Sequence, residues 1–294
     1  MTPDLLAALE AAIQAASGEP FVCAQHSPQG GGCINRGFVL TGGDGRRYFA
    51  KLNAADCLDL FEAEADGLRE LEAAAEIRVP HPVASGSSGH AAFLLLEWLP
   101  LGGQARPADL GRQLARLHRH SQAEFGWRRD NHIGSTPQPN SPLPDWIAFY
   151  RNQRLSPQLD LARRNGAPGP LLLQGERLME RLEAFFPGYR PLPSLLHGDL
   201  WGGNHGYADG TPVLFDPAVY YGDREADLAM TELFGGYPAD FFAAYREAWP
   251  LDPGYRVRKH LYNLYHLLNH FNLFGDGYAA QSERIAGRLL AEAG

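Results

Sequence analysis

Short β-prone runs separated by glycine turns occupy residues 21–53, and this alternation constrains how the first third of the chain can fold. The runs are FVCAQ, CINRGFVL and RRYFAKLN, and the segments between them are PQGGG and TGGDG. Two β-prone runs joined by a short Gly-Asp-Gly turn are the signal of a hairpin. The stretch therefore predicts three antiparallel strands, with a glycine-rich bend between the first and the second.

Helical patterns flank these strands. Residues 4–16 carry apolar side chains at helical spacing, and residues 58–77 form a second, longer segment of the same kind. The segment VPHPVASG at 79–86 is predicted to be a loop, and AAFLLLEWL at 91–99 a buried strand. The turn residues PLGG at 100–103 then mark a boundary between lobes.

The remainder of the chain has mostly helical patterns. Helices are predicted over 107–121, 145–164 and 170–186 and again towards the end, with a long polar loop at 131–146. We therefore predict an α+β fold with two lobes. Their expected boundaries are residues 1–96 for a small antiparallel-sheet lobe with one main helix, 97–103 for a hinge, and 104–294 for a mainly helical lobe.

Composition excludes several classes of function. A length of 294 residues suits two lobes, and a formal net charge of −8 without a run of Lys or Arg argues against nucleic acid as a partner. No apolar stretch approaches the roughly 20 residues that span a bilayer. The first 35 residues lack Lys and Arg, so we expect no signal peptide and a cytoplasmic protein. Three cysteines without CxxC spacing indicate neither a disulfide framework nor a zinc site.

The decapeptide LLHGDLWGGN at 195–204 carries the strongest chemical signal. Asp199 and Asn204 are five residues apart on a glycine-rich segment, and Asp216 follows in FDP after another apolar run. Phosphoryl transfer needs a carboxylate near the attacking hydroxyl and oxygen ligands for magnesium. We predict Asp199 as the catalytic base, with Asn204 and Asp216 as the metal ligands.

The first lobe offers the residues that such a reaction needs for the nucleotide. Lys51 lies in the third predicted strand, where it could reach the α- and β-phosphates, and Glu64 on the next helix is predicted to hold it, with Glu62 and Asp66 as alternatives. Two further segments are predicted to bind ATP: backbone N–H groups of Gly30, Gly31 and Gly32 at the phosphates, and Glu97, Trp98 and Leu99 beside the adenine.

These motifs, taken in order, resemble the kinase-like fold of protein kinases, aminoglycoside phosphotransferases and choline kinases. The chain is most similar to the fructosamine kinase (ketosamine 3-kinase) family, on the segments GGGCINRG, FAKLN, FEAEADGLREL, FLLLEWL, IGSTPQPN, LLHGDLWGGN, FDPAVYYGDREADLAM and LYNLYHLLNHFNLFG. The resemblance implies ATP and Mg²⁺ as cofactors. It implies phosphorylation of the 3-hydroxyl of a ketosamine, whose unstable product frees the amine and so repairs glycated amines.

Two other functions are considered beside this one. A kinase of the same fold could act on an aminoglycoside or on choline. A non-catalytic pseudokinase would have lost at least one of Lys51, Asp199, Asn204 and Asp216, and all four are present.

Further residues near the decapeptide are candidates for supporting roles. Trp201 stands where protein kinases have a lysine, and it either stacks on a sugar or packs internally. His197 is expected to shape the loop. Asp227 resembles the acidic residue that braces the catalytic loop from the following helix, whereas Asp223 and Glu225 could be surface charges.

Three features complete the prediction. His266 is expected to line the acceptor site, with a structural role as the alternative, and a metal site shared with His270 is not supported by the motif. The polar loop NHIGSTPQPN is a second candidate wall of that site. Cys33 directly follows the glycine triplet, where an exposed thiol could be oxidised or cross-link two chains. We therefore expect a monomer or a redox-sensitive homodimer.

Overall fold

The β-prone runs of the N-terminal third form one antiparallel sheet in the computed structural model, which describes residues 1–30 and 35–294, and of Asp276 only the backbone. The strands are hydrogen-bonded in the order β1-β2-β3-β5-β4. Their bounds are β1 Cys23–Pro28, β2 Arg36–Gly42, β3 Arg47–Ala54, β4 Pro82–Ser88 and β5 Ala91–Glu97. The three predicted strands are confirmed. The prediction of a loop at 79–86 is wrong, because pairing with β5 draws residues from Pro82 onward into the sheet despite their Pro and Gly content.

Helix α1 (Pro3–Ser17) covers one face of this sheet. It begins at Thr2, whose side chain accepts a hydrogen bond from the Leu5 amide, and it ends at Gly18 with a φ of 73°. Its buried stripe packs on inward-facing sheet residues, and the core so formed comprises Leu5, Leu9, Ile13, Phe21, Leu40, Ala50, Leu52, Phe93 and Leu95. Burial of this stripe holds α1 on the sheet.

Strand alternation places Lys51 on the face opposite to α1. Its neighbours Ala50 and Leu52 both belong to the core beneath α1, so the side chain between them points the other way. Helix α2 (Leu58–Ala74) lies on this second face, since its Glu64 contacts Lys51. A lysine and a glutamate 13 residues apart are thereby brought together by the period of the strand.

The described residues form two structural units, and the chain passes between them more than once. The first comprises Met1–Arg106 and His205–Pro217, and the second comprises Pro107–Asn204 and Ala218–Gly294. The single predicted division at 97–103 therefore differs from the structure, because the segment after the decapeptide returns to the first unit. There it forms the hairpin of β9 (His205–Ala208) and β10 (Thr211–Leu214), which packs Ala208 and Val213 against Leu99.

The second unit is mainly helical, as predicted. With helices and strands numbered along the whole chain, this unit contains α3 Pro107–Leu117, β6 Asn131–Ile133, β7 Thr136–Gln138, α4 Trp146–Tyr150, α5 Ser156–Arg164, α6 Gly169–Met179, β8 Ser194–Leu196, β11 Tyr220–Gly222, α7 Glu225–Leu233, α8 Ala239–Ala248, α9 Tyr255–Phe274 and α10 Ala279–Ala293. The loop predicted over 131–146 contains the β6–β7 hairpin. The helix predicted over 145–164 is interrupted by a π-helical turn at Arg151–Leu155.

Helix α9 forms the centre of this unit. Most of its side chains are buried, and it packs against α5, α7 and α10. Two short strands, β8 and β11, pair antiparallel and hold the first two residues of the decapeptide against Tyr220 and Tyr221. Across the parts of the chain that the structure describes, no helix is both long and apolar enough to span a membrane.

Candidate functional site

Lys51 is the centre of an ion triad that lies within the first unit. Its ammonium nitrogen Nζ is 2.5 Å from Glu64 Oε1 and 2.5 Å from Asp216 Oδ1, and the side chain is almost fully buried. Of the three acidic residues considered for this role, Glu64 is thus the one that reaches the lysine, whereas Asp66 pairs with Arg69. Two segments far apart in sequence, FAKLN and FDP, meet at this ammonium group.

Burial and charge oppose each other at this ion triad. Desolvation disfavours the charged form of Lys51, but the carboxylates of Asp216 and Glu64 outweigh it and raise the pKa of the lysine above its ordinary value. Burial, with repulsion from Asp216, raises the pKa of Glu64 to about 6 despite the attraction of Lys51. Lys51 is therefore charged at neutral pH, and it lies on the face of the sheet opposite to α1.

Asp216 directs its carboxylate from an unusual backbone conformation. It follows β10 by two positions and has a φ of 56°, in the left-handed region where Asp is tolerated better than most residues. Such a conformation persists only where the surroundings determine it, and such residues cluster at functional sites. The contact with Lys51 is one of the interactions that hold Asp216 there.

The decapeptide belongs to the second unit. Asn204 closes the loop onto Asp199: its amide nitrogen Nδ2 donates to the Asp199 backbone oxygen at 2.9 Å and to the carboxylate oxygen Oδ2 at 3.1 Å. The backbone amide of Asp199 donates to His197 Nδ1 at 3.2 Å. The predicted base is thus hydrogen-bonded on both its backbone and its side chain.

Asp227 holds the backbone of this loop from α7. Its carboxylate accepts hydrogen bonds from the amides of His197 and Gly198, both at 2.8 Å. Gly198 has a φ of 84°, and a Cβ placed on it would lie 2.0 Å from the carbonyl oxygen of Ala218. Only glycine fits this turn, and the loop-bracing geometry expected of Asp227 is present.

His118 on the turn after α3 completes the brace and was missed by the sequence analysis. Its Nε2 lies 3.1 Å from Asp227 Oδ2, and its Nδ1 lies 2.8 Å from the hydroxyl of Tyr245. Burial lowers the pKa of His118, so the ring is neutral, with Nε2 donating to the carboxylate and Nδ1 accepting from the tyrosine. The hydrogen bond from His118 in turn keeps the pKa of Asp227 low against the effect of its own burial. No local motif could have found a partner 109 residues away.

Asp223 and Glu225 are buried, so the alternative that they are surface charges is wrong. Asp223 accepts hydrogen bonds from the hydroxyls of Tyr189 and Tyr262 at 2.9 and 2.5 Å. Glu225 forms a bidentate pair with Arg258, at 2.7 and 3.0 Å. Both carboxylates anchor the start of α7, and through it they support Asp227.

The acceptor-side candidates differ in exposure. The indole of Trp201 is 38% exposed, and its ring packs across Gly203 of the same loop. His266 on α9 is 4% exposed, and burial lowers its pKa to about 3. Its Nδ1 is buried without a hydrogen-bond partner among the described residues. Tyr265 next to it donates to Gln138 on β7, which connects α9 to the predicted loop wall.

The other residues predicted to bind the nucleotide differ in what surrounds them. Glu97 pairs with Arg78 at 2.7 Å, the Trp98 indole N–H is buried with no partner among the residues described, and Leu99 is in an apolar cluster. Gly30 has open space around its Cα. Gly31, Gly32 and Cys33 lie outside the described residues, and their roles stay predictions.

Asp216 in the first unit and Asn204 in the second unit each carry an oxygen atom of the kind that binds magnesium. Carboxylate and carboxamide oxygens are the hard ligands that Mg²⁺ prefers, and Asp216 Oδ1 already contacts one cation, the Lys51 ammonium group. The amide nitrogen of Asn204 donates a hydrogen bond to Asp199, so the carboxamide oxygen of Asn204 points away from that residue. Across the described residues no three His, Cys, Asp or Glu side chains form a metal-binding group. Mg²⁺ commonly completes its coordination with waters and phosphate oxygens.

Comparisons with known proteins agree with these motifs. A family model described as fructosamine kinase matches residues 5–292. A probable ketoamine kinase of Synechocystis is 45% identical over 284 residues, covering 95% of this chain and 94% of its own. A chloroplastic protein-ribulosamine 3-kinase of Oryza sativa is 40% identical over 266 residues, covering 89% of this chain and 77% of its own.

Solved structures show the same fold. A crystal structure from Haemophilus somnus, assigned to the fructosamine-3-kinases, superposes with a TM-score of 0.87 at 27% identity and covers 96% of both chains. A choline/ethanolamine kinase family protein from Mesorhizobium loti superposes with a TM-score of 0.60 at 15% identity, covering 97% of this chain and 98% of its own. The latter likeness shows the fold alone, and the predicted kinase-like α+β fold is confirmed.

Proposed function

Because this chain belongs to the fructosamine kinase family, we propose that it transfers a phosphoryl group from ATP to the 3-hydroxyl of a ketosamine. The observation that carries the proposal is the buried Lys51 held between Glu64 and Asp216. A fully buried lysine bound by carboxylates from two distant segments is costly to keep for structure alone. It suits a group that must be charged and fixed when phosphates bind.

We assign the roles residue by residue. ATP with Mg²⁺ supplies the phosphoryl group and neutralises its charge during transfer. Lys51 binds the α- and β-phosphates, and Glu64 fixes its position. Asn204 and Asp216 provide oxygen ligands for the metal.

The acceptor hydroxyl is handled by the decapeptide. Asp199 accepts a hydrogen bond from the 3-hydroxyl, orients it and takes its proton. Asp227 and His118 keep the Asp199 backbone in place through the amides of His197 and Gly198. Trp201 and His266 contribute to the binding of the sugar part of the acceptor.

The name of the rice relative specifies a ribulosamine carried on protein, and we propose ribulosamines and fructosamines as the acceptor class. Enolisation of the C2 carbonyl towards C1 makes the C3 phosphate a leaving group, and its elimination as inorganic phosphate leaves an imine between C1 and the nitrogen. Water then hydrolyses this imine, which releases the amine and a dicarbonyl sugar. Deglycation is thus the proposed outcome of the reaction.

An acceptor screen tests this function. ATP consumption is measured with ribulosyl-lysine, fructosyl-lysine, kanamycin and choline. We expect turnover with one or both ketosamines, and turnover with kanamycin or choline alone would refute the proposal.

A matched pair of variants tests the base. Asp199→Asn is expected to lower kcat by about 10²–10⁴-fold while the Kd for ATP stays within twofold of the parent. Asp209→Asn in the exposed β9–β10 turn is the control and keeps full activity. A near-normal rate in Asp199→Asn would place the base elsewhere.

A further inference from the structure

Four aromatic side chains beside the end of α9 have no role in the mechanism above. Phe234, His270, Phe274 and Tyr278 form what we call the aromatic cluster, and all belong to the second unit. The His270 ring contacts each of the others, with ring centroids 4.7 Å from Phe234, 5.6 Å from Phe274 and 5.1 Å from Tyr278. Phe234 and Phe274 are 41% and 54% exposed. Exposed apolar side chains that group together on a surface are typical of interaction sites.

The hydrogen bonds of His270 define what the centre of the cluster offers. Its Nδ1 lies 2.8 Å from the backbone oxygen of His266, and since a carbonyl oxygen can only accept, Nδ1 carries the proton. Burial lowers the pKa of His270, so the ring is neutral at neutral pH. Nε2 is therefore an acceptor, and no described residue forms a hydrogen bond to it. The cluster presents this acceptor nitrogen beside three aromatic rings.

The cluster is joined to the decapeptide through Gly235 and Gly236. A Cβ placed on Gly202 of the decapeptide would lie 3.0 Å from the Gly235 carbonyl oxygen and 3.3 Å from the Gly236 Cα. The hydroxyl of Tyr237 is 3.4 Å from the backbone oxygen of Trp201. The chain directly after Phe234 thus packs on the loop that carries Asp199.

The chemistry of the cluster selects a cation. Ring faces carry partial negative charge and attract ammonium groups within about 6 Å. A neutral imidazole nitrogen accepts a hydrogen bond from an N–H group of such a cation, whereas it has no proton to donate to an anion. A ketosamine differs from a plain ketose by a secondary amine, which is protonated at neutral pH.

We propose that the aromatic cluster binds the protonated amine of the ketosamine, with Nε2 of His270 as the acceptor of its hydrogen bond. This inference rests on the proposed function and extends it, because it names the part of the protein that distinguishes a ketosamine from the sugar alone. The cluster is a binding site and takes no part in proton or phosphoryl transfer.

Kinetics with two ligands of different charge tests the inference. The variants are Phe234→Leu and Phe274→Leu, which keep apolar volume and lose the ring face, and His270→Phe, which keeps a ring and loses the acceptor. Leu173→Ala, at a 48% exposed position on α6, is the control. For each protein we measure kcat and KM with ribulosyl-lysine, KM for ATP, and the inhibition constant of ribulose, which has no amine.

The expected result is a KM for ribulosyl-lysine raised about 2- to 30-fold in the three variants, the range that a cation–π contact supports. The KM for ATP, the inhibition constant of ribulose and all constants of the control stay within twofold of the parent. Changes below twofold in all three variants, or an equal loss for ribulose, would overturn the inference while leaving the kinase function intact. Altered oligomeric state on gel filtration without a change in KM would also overturn it. Absence of ribulosyl-lysine turnover in the parent would refute the proposed function itself.

Discussion

Replacing Lys51 by methionine removes the positive charge that contacts both Glu64 and Asp216. Each carboxylate oxygen lies 2.5 Å from Nζ, so the two oxygens are at most about 5 Å apart. At an effective dielectric constant of about 20, two unit charges at that separation repel by about 3 kcal/mol. Breaking a buried ion pair by removing one partner typically costs about 3–5 kcal/mol. We therefore expect Lys51→Met to lower the free energy of unfolding by about 3–5 kcal/mol at pH 8.

The loss will depend on pH because Glu64 can take up a proton. Its pKa in the folded parent, about 6, is above its ordinary value of 4.5, so the folded state binds this proton more tightly than the unfolded chain. In the parent, Glu64 therefore lowers stability as the pH rises from about 4.5 to 6 and adds no slope above that. In Lys51→Met the attraction of the ammonium group is gone, the pKa of Glu64 rises further, and stability continues to fall between pH 6 and 8.

Urea unfolding followed by tryptophan fluorescence at pH 5, 6, 7 and 8 measures this difference. We expect the free-energy gap between the parent and Lys51→Met to widen from pH 6 to 8. The double variant Lys51→Met/Glu64→Gln, which has no titrating group at Glu64, will show no such widening. Parallel curves for the parent and Lys51→Met across this range would contradict the charge balance described for the triad.

Three more substitutions test the support of the decapeptide. Gly198→Ala forces a Cβ into a backbone carbonyl and is expected to lower kcat by about 100-fold through misplacement of the loop, measured with circular dichroism as the check on folding. Asp227→Asn replaces one carboxylate oxygen by an NH₂ group, which cannot accept a hydrogen bond from the buried backbone N–H that faces it. The remaining hydrogen bonds also lose the negative charge, so we expect the free energy of unfolding in urea to fall by about 2–4 kcal/mol. Arg258→Met leaves Glu225 buried without its partner and is expected to cost about 3–5 kcal/mol, against less than about 1 kcal/mol for Arg163→Met at an exposed pair; equal losses in these two would contradict the burial argument.

Short-range patterns account for what the sequence predicted correctly. The glycine-separated runs gave β1, β2 and β3, since a hairpin signal depends on neighbouring residues. The period of two in β3 placed Lys51 opposite to the core, and the period of the following helix brought Glu64 to it. The spacing of Asp199 and Asn204 encodes a loop closed by their own hydrogen bonds.

The features that were missed depend on contacts between distant segments. The strand at Pro82–Ser88 exists because β5 is available to pair with it, although its own sequence contains turn residues. His118 contacts Asp227 across 109 positions, and nothing in its local helix distinguishes it from a surface histidine. Asp223 is buried because two tyrosines, from other segments, donate to it. Local secondary-structure propensity does not depend on partners that are distant in the sequence, so it cannot predict them.

The position of His205–Pro217 follows the same rule. The segment comes directly after the decapeptide, and its sequence gives a hairpin with an Asp-Gly turn. What assigns it to the first unit is the packing of Ala208 and Val213 on Leu99, a residue more than a hundred positions earlier. A single boundary along the sequence could not predict that this later segment belongs to the first unit.

The central claim is that Asp199 directs phosphoryl transfer from ATP to the 3-hydroxyl of a ketosamine. Phosphorus NMR of a reaction with ATP and ribulosyl-lysine tests it most directly, because the coupling of the product phosphorus to the sugar protons identifies the phosphorylated carbon. We expect a sugar phosphate on C3 that the parent protein forms and Asp199→Asn does not. Phosphate on another position of the acceptor, or the same product formed equally fast by Asp199→Asn, would contradict it.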